Sequence, residues 1–226
     1  MNNSSLLADV SGIPYFCFKK MRKYLLSLAL VVGVVSMNAQ EKVTNNVNME
    51  NKKSTLRFIY PQWQGGIVDH WMPDIPAEDS SRGYYLGAQL LNYLAPQTGQ
   101  NTVEVPVSLD INDRATEKGI SARSVILKQT KAALDLLKEN HPDRIVTLGG
   151  ECSVTYLINR YPDDVAIVWI DAHPDINLPY DEYKGYHAMA LTACLGMGDE
   201  EIMELLPGKT DASKALIVGL RSWDEG

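Results

Sequence analysis

Cysteine is scarce: Cys17, Cys152 and Cys194 are the only three in 226 residues. That is too few for a disulfide framework, so the fold must be held by a packed core. No apolar run reaches the ~20 residues needed to cross a bilayer as a helix, which excludes a helical membrane span. Basic runs are also missing beyond residue 40. The net charge is −7, and all but four of the 21 Lys and Arg, but also all but one of the 28 Asp and Glu, fall in residues 41–226. Nucleic acid is therefore not an expected partner, whereas an acidic body attracts metal ions or a cationic substrate. With 45% hydrophobic and 22% charged residues, wholesale disorder and coiled coil are excluded as well.

The N-terminal 40 residues read as a targeting segment. Met21-Arg22-Lys23 is a short basic start, Leu25 to Val35 (LLSLALVVGVV) is an apolar centre, and Ala39 is a small residue at a cleavage-like exit. This is the pattern of a secretory signal peptide; the competing reading is a buried strand or helix of the domain. Translation from Met21 predicts an exported, periplasmic or secreted protein, and translation from Met49 a cytoplasmic one. The expected organisation is an extension over 1–40, a polar, Asn-rich linker over 41–54 and one α/β domain over 55–226.

Within that domain Thr55 to Tyr60 predicts a strand and Ser81 to Leu94 a helix, with Leu86, Leu90 and Leu94 at four-residue spacing. Thr102 to Val107 alternates like a strand, with Pro106 near its end. Ser121 to Asn140 is the clearest helix, its face formed by Ile126, Ala133, Leu134 and Leu137, and Pro142 stops it. Three apolar runs follow: Arg144 to Leu148, Val165 to Ile170 and Ala215 to Leu220. Runs of this kind predict parallel strands buried on both faces, with Ser153 to Tyr161 and His187 to Leu206 long enough for crossover helices. The fold class is α/β, an open and mostly parallel sheet with helices on both sides. Ligands bind such sheets beyond the carboxyl ends of the strands, so the polar residues following each run are the ones to read.

Asp171, His173 and Asp175 follow the second run as D-x-H-x-D. In an extended segment alternate side chains share a side, so all three can face one point. Two carboxylates and an imidazole suit Mn²⁺, Fe²⁺ or Zn²⁺ rather than Ca²⁺, and the group would repel itself without a cation. The plainer alternative is local capping by Asp171 or Asp175 with a packed His173. Cys152, after Gly149-Gly150, is a further candidate ligand or else a small buried thiol. His187 is a candidate proton shuttle or a helix-start histidine. Asn177 is a candidate substrate contact or a turn residue. Trp63 and Trp71 could wall a pocket or cover apolar surface; His70 and His141 read as ordinary loop and helix-end residues.

Three stretches together resemble the ureohydrolase family of arginases, agmatinases and related guanidino or formimino hydrolases: Leu148-Gly149-Gly150-Glu151-Cys152-Ser153, Trp169-Ile170-Asp171-Ala172-His173-Pro174-Asp175-Ile176-Asn177, and Gly219-Leu220-Arg221. The resemblance implies a three-layer α/β/α sandwich with a central, mostly parallel sheet and a pair of Mn²⁺ ions. It implies metal ligation by Cys152, Asp171, His173 and Asp175, a hold on the substrate's amino-acid end by Asn177, and proton delivery to the leaving amine by His187. Asp171 would then serve the attacking water through the metals. Cys152 stands where the family has histidine and Glu151 where it has aspartate; a thiolate shifts preference toward Zn²⁺ or a single ion. The family's later Asp-x-Asp ligand pair does not follow Arg221 before Gly226, so the domain is expected to be incomplete at its C-terminus and this chain weakly active. The implied activity is hydrolysis of a linear amidino C–N bond in a small cationic guanidino substrate such as arginine or agmatine, by a homo-oligomer when full length. Its alternatives are an inactive, arginase-like binding protein and a hydrolase of the related deacetylase fold.

Overall fold

The computed structural model describes residues 53–161 and 165–223, apart from the side chains of 156 and 158. The signal-like segment and the polar linker up to residue 52 lie outside the described residues. Among the described residues there are seven strands: β1 (Thr55–Tyr60), β2 (Asn101–Glu104), β3 (Thr116–Glu117), β4 (Ile120–Ser121), β5 (Arg144–Gly149), β6 (Ile167–Ile170) and β7 (Ala215–Val218). The helices are α1 (Val68–Trp71), α2 (Ala77–Leu94), α3 (Arg123–Asn140), α4 (Ala190–Cys194) and α5 (Glu200–Leu205), with a long 3-10 stretch over Cys152–Arg160 and a shorter one over Tyr186–Met189.

β1 lies between β2 and β5, parallel to both, paired with β5 from Thr55 opposite Arg144 through Tyr60 opposite Gly149. Its two faces are covered by different helices. Leu56, Phe58 and Tyr60 point one way into a core shared with Ile126, Ala133 and Leu137 of α3. On the other face Arg57 reaches Asn92 of α2 (Nη1 to Oδ1, 3.4 Å). A layer of helix therefore lies on each side of the parallel strands, as the alternation of side chains across β1 requires. β6 and β7 pair in parallel as a second small sheet, and β3 and β4 form an antiparallel hairpin.

The structure departs from the sequence expectation in several places. α2 begins at Ala77, after Pro76, four residues earlier than expected, and Leu86, Leu90 and Leu94 face solvent while Ala88 is buried. The strand expected over 102–107 ends at Glu104, before Pro106 removes a donor. The crossover between β5 and β6 is a 3-10 stretch rather than an α-helix. β6 and β7 are not buried on both faces: Trp169 and Ile167 point inward, whereas Val168, Ile170, Leu216 and Val218 are exposed on the opposite face.

At the sheet's carboxyl edge the backbone packs closely. Gly150 donates its N–H to Tyr60 O (3.0 Å), and a Cβ there would sit 2.0 Å from Gln62 O. Only glycine allows the β5 turn to approach β1 this closely. That contact brings the residues after β1 and β5 together.

Candidate metal centre

Cys152 opens the 3-10 stretch just past β5, and Asp171 follows β6 directly. Asp171 is anchored to β7 by its N–H bond to Val218 O (3.1 Å). Asp175, four residues on, has a left-handed backbone (φ 50). Its carbonyl accepts Leu191 N (3.0 Å) and Thr192 N (3.4 Å) from α4, and Asn177 N–H donates to Ala188 O (2.9 Å). The loop after β6 is thus fastened to the start of α4.

This folding changes which donors meet. Ligand atoms of Cys152, Asp171 and Asp175 all lie within 4.8 Å of one another. The segment 171–175 is bent rather than extended, so the expected alternation is broken. The His173 side chain is 62% exposed, with Nδ1 3.5 Å from Asp171 Oδ1. Its backbone N–H donates to that same oxygen at 2.8 Å, so Asp171 also makes the local cap that had been its alternative reading. Asn177 and His187 are both half-buried. His187 Nδ1 lies 2.8 Å from Gly65 O. A carbonyl only accepts, so Nδ1 carries the proton and Nε2 is the nitrogen that can take one up.

Electrostatics at this edge are unfavourable without a cation. Burial, then the neighbouring Asp171, pushes the Asp175 carboxyl up to about 6. Among the described residues its buried Oδ2 has no hydrogen-bond partner, an arrangement that costs free energy unless something binds there. Burial, followed by the charges of Asp175, Glu151 and Asp171, also pushes the Cys152 thiol far up. A divalent ion reverses both effects, because it favours carboxylate and thiolate. The donor set therefore fits a metal: one sulfur and two carboxylates, a three-donor set that leaves a position for water or substrate, suits Zn²⁺ and accepts Mn²⁺.

Glu151 is placed otherwise. Its carboxylate accepts Gln62 Nε2 (2.7 Å), Ser153 N (2.7 Å) and Ser153 Oγ (2.6 Å). Gln62 Oε1 in turn accepts Tyr60 Oη (3.0 Å) and Gln129 Nε2 (2.9 Å). This buried network sets the 151–153 backbone that carries Cys152. Gly65 belongs to the same wall, since a Cβ on it would lie 2.7 Å from Glu151 Oε1. Neither Gln62 nor Tyr183, described below, stands out in the sequence. The strand-end rule applied to β1 would have pointed to Gln62; Tyr183 sits in a loop with no periodic signal.

Parallel strands covered by helices, with one sulfur and two carboxylate donors gathered near their carboxyl ends, define an α/β protein with a candidate metal site. Residues 86–226 match the Arginase family, and the chain belongs to that family. It is 29% identical over 194 residues to an arginase of Eremothecium gossypii, covering 77% of this chain and 46% of that protein. With the arginase of Staphylococcus aureus strain COL it shares 29% identity over 86 residues, 36% of this chain and 28% of that one. The structure of Entamoeba histolytica arginase in complex with L-ornithine superposes with a TM-score of 0.58 at 17% identity, over 77% of this chain and 60% of that one. The likeness shows an arginase-like α/β fold. The chain spans less than half the length of these two curated relatives.

Proposed function

We propose that this chain carries the metal-dependent hydrolytic site of a ureohydrolase, cleaving a linear amidino C–N bond in a small guanidino cation and releasing urea or a related product. The observation that carries this reading is the meeting of Cys152, Asp171 and Asp175 within 4.8 Å, with Asp175 Oδ2 buried and without a hydrogen-bond partner among the described residues. Those three residues would hold the ion, and the family suggests Mn²⁺, in pairs. A bound divalent ion supplies an acidified water and polarises the substrate. The chain's own residues supply the rest. Asp171 and Asp175 hold negative charge against the substrate's cation, and Glu151, bound by Gln62 and Ser153, keeps Cys152 in place. His187, with its proton on Nδ1, has Nε2 available to receive a proton and return it to the leaving amine.

Metal analysis of the purified protein, calorimetry with MnCl₂ and ZnCl₂, and urea release from arginine and agmatine test the proposal. Stoichiometric metal, lost in Cys152→Ser for Zn²⁺ more than for Mn²⁺, together with slow urea formation, is expected. Protein that retains no ion, or holds one and yields no urea from any guanidino substrate, refutes the hydrolase reading. A second reading, metal binding without hydrolysis, is supported by the outward-facing His173 ring.

A further inference from the structure

One set of side chains beside the metal centre has no role in the chemistry above. Trp71, at the end of α1, is 61% exposed. Its indole Nε1 donates to Tyr183 Oη at 3.0 Å, and the two rings are 5.6 Å apart. Tyr183 meets the His187 ring edge-on at 5.4 Å, and His70 packs edge-on against Trp71 at 4.9 Å. Rings therefore run without a break from solvent to the imidazole beside Asp175. The inner end is acidic: burial first, and then Tyr84 and the charges of Glu151 and Asp175, push the Tyr183 phenol up to about 12 against the opposing effect of its bond with Trp71. Arg114, a base close to α1, is already held by Asp69 Oδ1 (2.8 Å) and Ile111 O (2.7 Å). The 5%-exposed Asp175, whose Oδ2 has no hydrogen-bond partner among the described residues and is assigned to the metal, adds its negative charge at the foot of the wall.

Aromatic faces carry negative potential, attract guanidinium and ammonium groups, and disfavour carboxylates. We propose that Trp71 and Tyr183 form a cation-binding wall that selects substrates whose far end is an amine or is uncharged over those ending in a carboxylate. The identity of the cation rests on the ureohydrolase reading; the wall's preference for cations does not.

The test is calorimetric titration of the whole chain with agmatine and with arginine, in EDTA so that no hydrolysis contributes, alongside urea assays with metal. Agmatine should bind about fivefold or more tightly than arginine, and Trp71→Ala should weaken agmatine by about the same factor. Trp71→Phe, which keeps a ring, should retain most of the affinity. Tyr183→Phe keeps its ring but frees the Trp71 indole, and should fall between. Because Trp71 lies at the surface, its variants should melt like the parent. Equal binding of the two ligands, or agmatine binding unchanged in Trp71→Ala, overturns the wall. Urea formation with a KM insensitive to Trp71→Ala would sink the wall and leave the hydrolase standing. The predicted binding pattern without urea would do the reverse.

Discussion

Asp175→Asn separates the electrostatic cost of the metal-free centre from its use. In the folded protein the Asp175 carboxyl is held at about 6 against an ordinary value of 3.8, chiefly by burial and then by Asp171. A raised carboxyl favours the fold while protonated, so its contribution is complete below pH ~4 and is lost as pH rises through ~6. The displacement corresponds to ~3 kcal/mol, which screening at the partly open rim reduces to ~2 kcal/mol. In EDTA at pH 8 the amide, which carries no charge, should therefore be more stable than the parent by ~2 kcal/mol, a rise in melting temperature of about 4–8 °C for a domain of this size. Near pH 4.5, where the parent carboxyl is largely protonated, the two should melt nearly together. Metal should reverse the ranking: an ion at a hundred times its dissociation constant adds ~2.7 kcal/mol to the parent and little to the variant. Thermal melts at both pH values, with EDTA and with ZnCl₂ or MnCl₂, supply all four comparisons. A variant no more stable than the parent at pH 8 in EDTA, or one stabilised by metal as much as the parent, would refute the view that this carboxylate is held for a cation.

Two further predictions concern the frame around the centre. Arg123 binds Asp199 through two parallel bonds of 2.8 Å, Nε to Oδ2 and Nη2 to Oδ1, and both side chains are buried. Asp199 also caps α5 through Ile202 N. Arg123→Ala strands that carboxylate and should cost ~3 kcal/mol in urea denaturation; a loss below ~1 kcal/mol would show that the pair is not structural. Gly150→Ala places a methyl 2.0 Å from Gln62 O, which must push the β5 turn away from β1. Lower stability together with weaker metal binding is expected, because the displaced turn carries Cys152. Unchanged calorimetry would contradict that coupling.

Much of this fold is legible in local pattern. β1 matches the apolar run from Thr55 to Tyr60 residue for residue, and α3 ends at Asn140 before Pro142, because strand burial and helix periodicity are written in neighbouring residues. The position of the site is legible for the same reason: in a parallel sheet the segments after apolar runs lie along one edge. What those segments do there is less so. Spacing alone put His173 between two aspartates on one side. The positive φ at Asp175 and the bonds that its carbonyl accepts from Leu191 and Thr192 turn the loop so that Cys152, from the 3-10 stretch after a different strand, takes the third place.

The sequence by itself determined the chemical types available: three apolar strands, two carboxylates, an imidazole and a thiol placed after them. Tertiary structure alone decided which of these share a volume, because that depends on contacts across long separations. Gln62 meets Glu151 across 89 positions, Trp71 meets Tyr183 across 112, and His187 meets Gly65 across 122. Periodicity carries information over a few residues, whereas the convergence of donors is set by how sheet, turn and helix pack against one another.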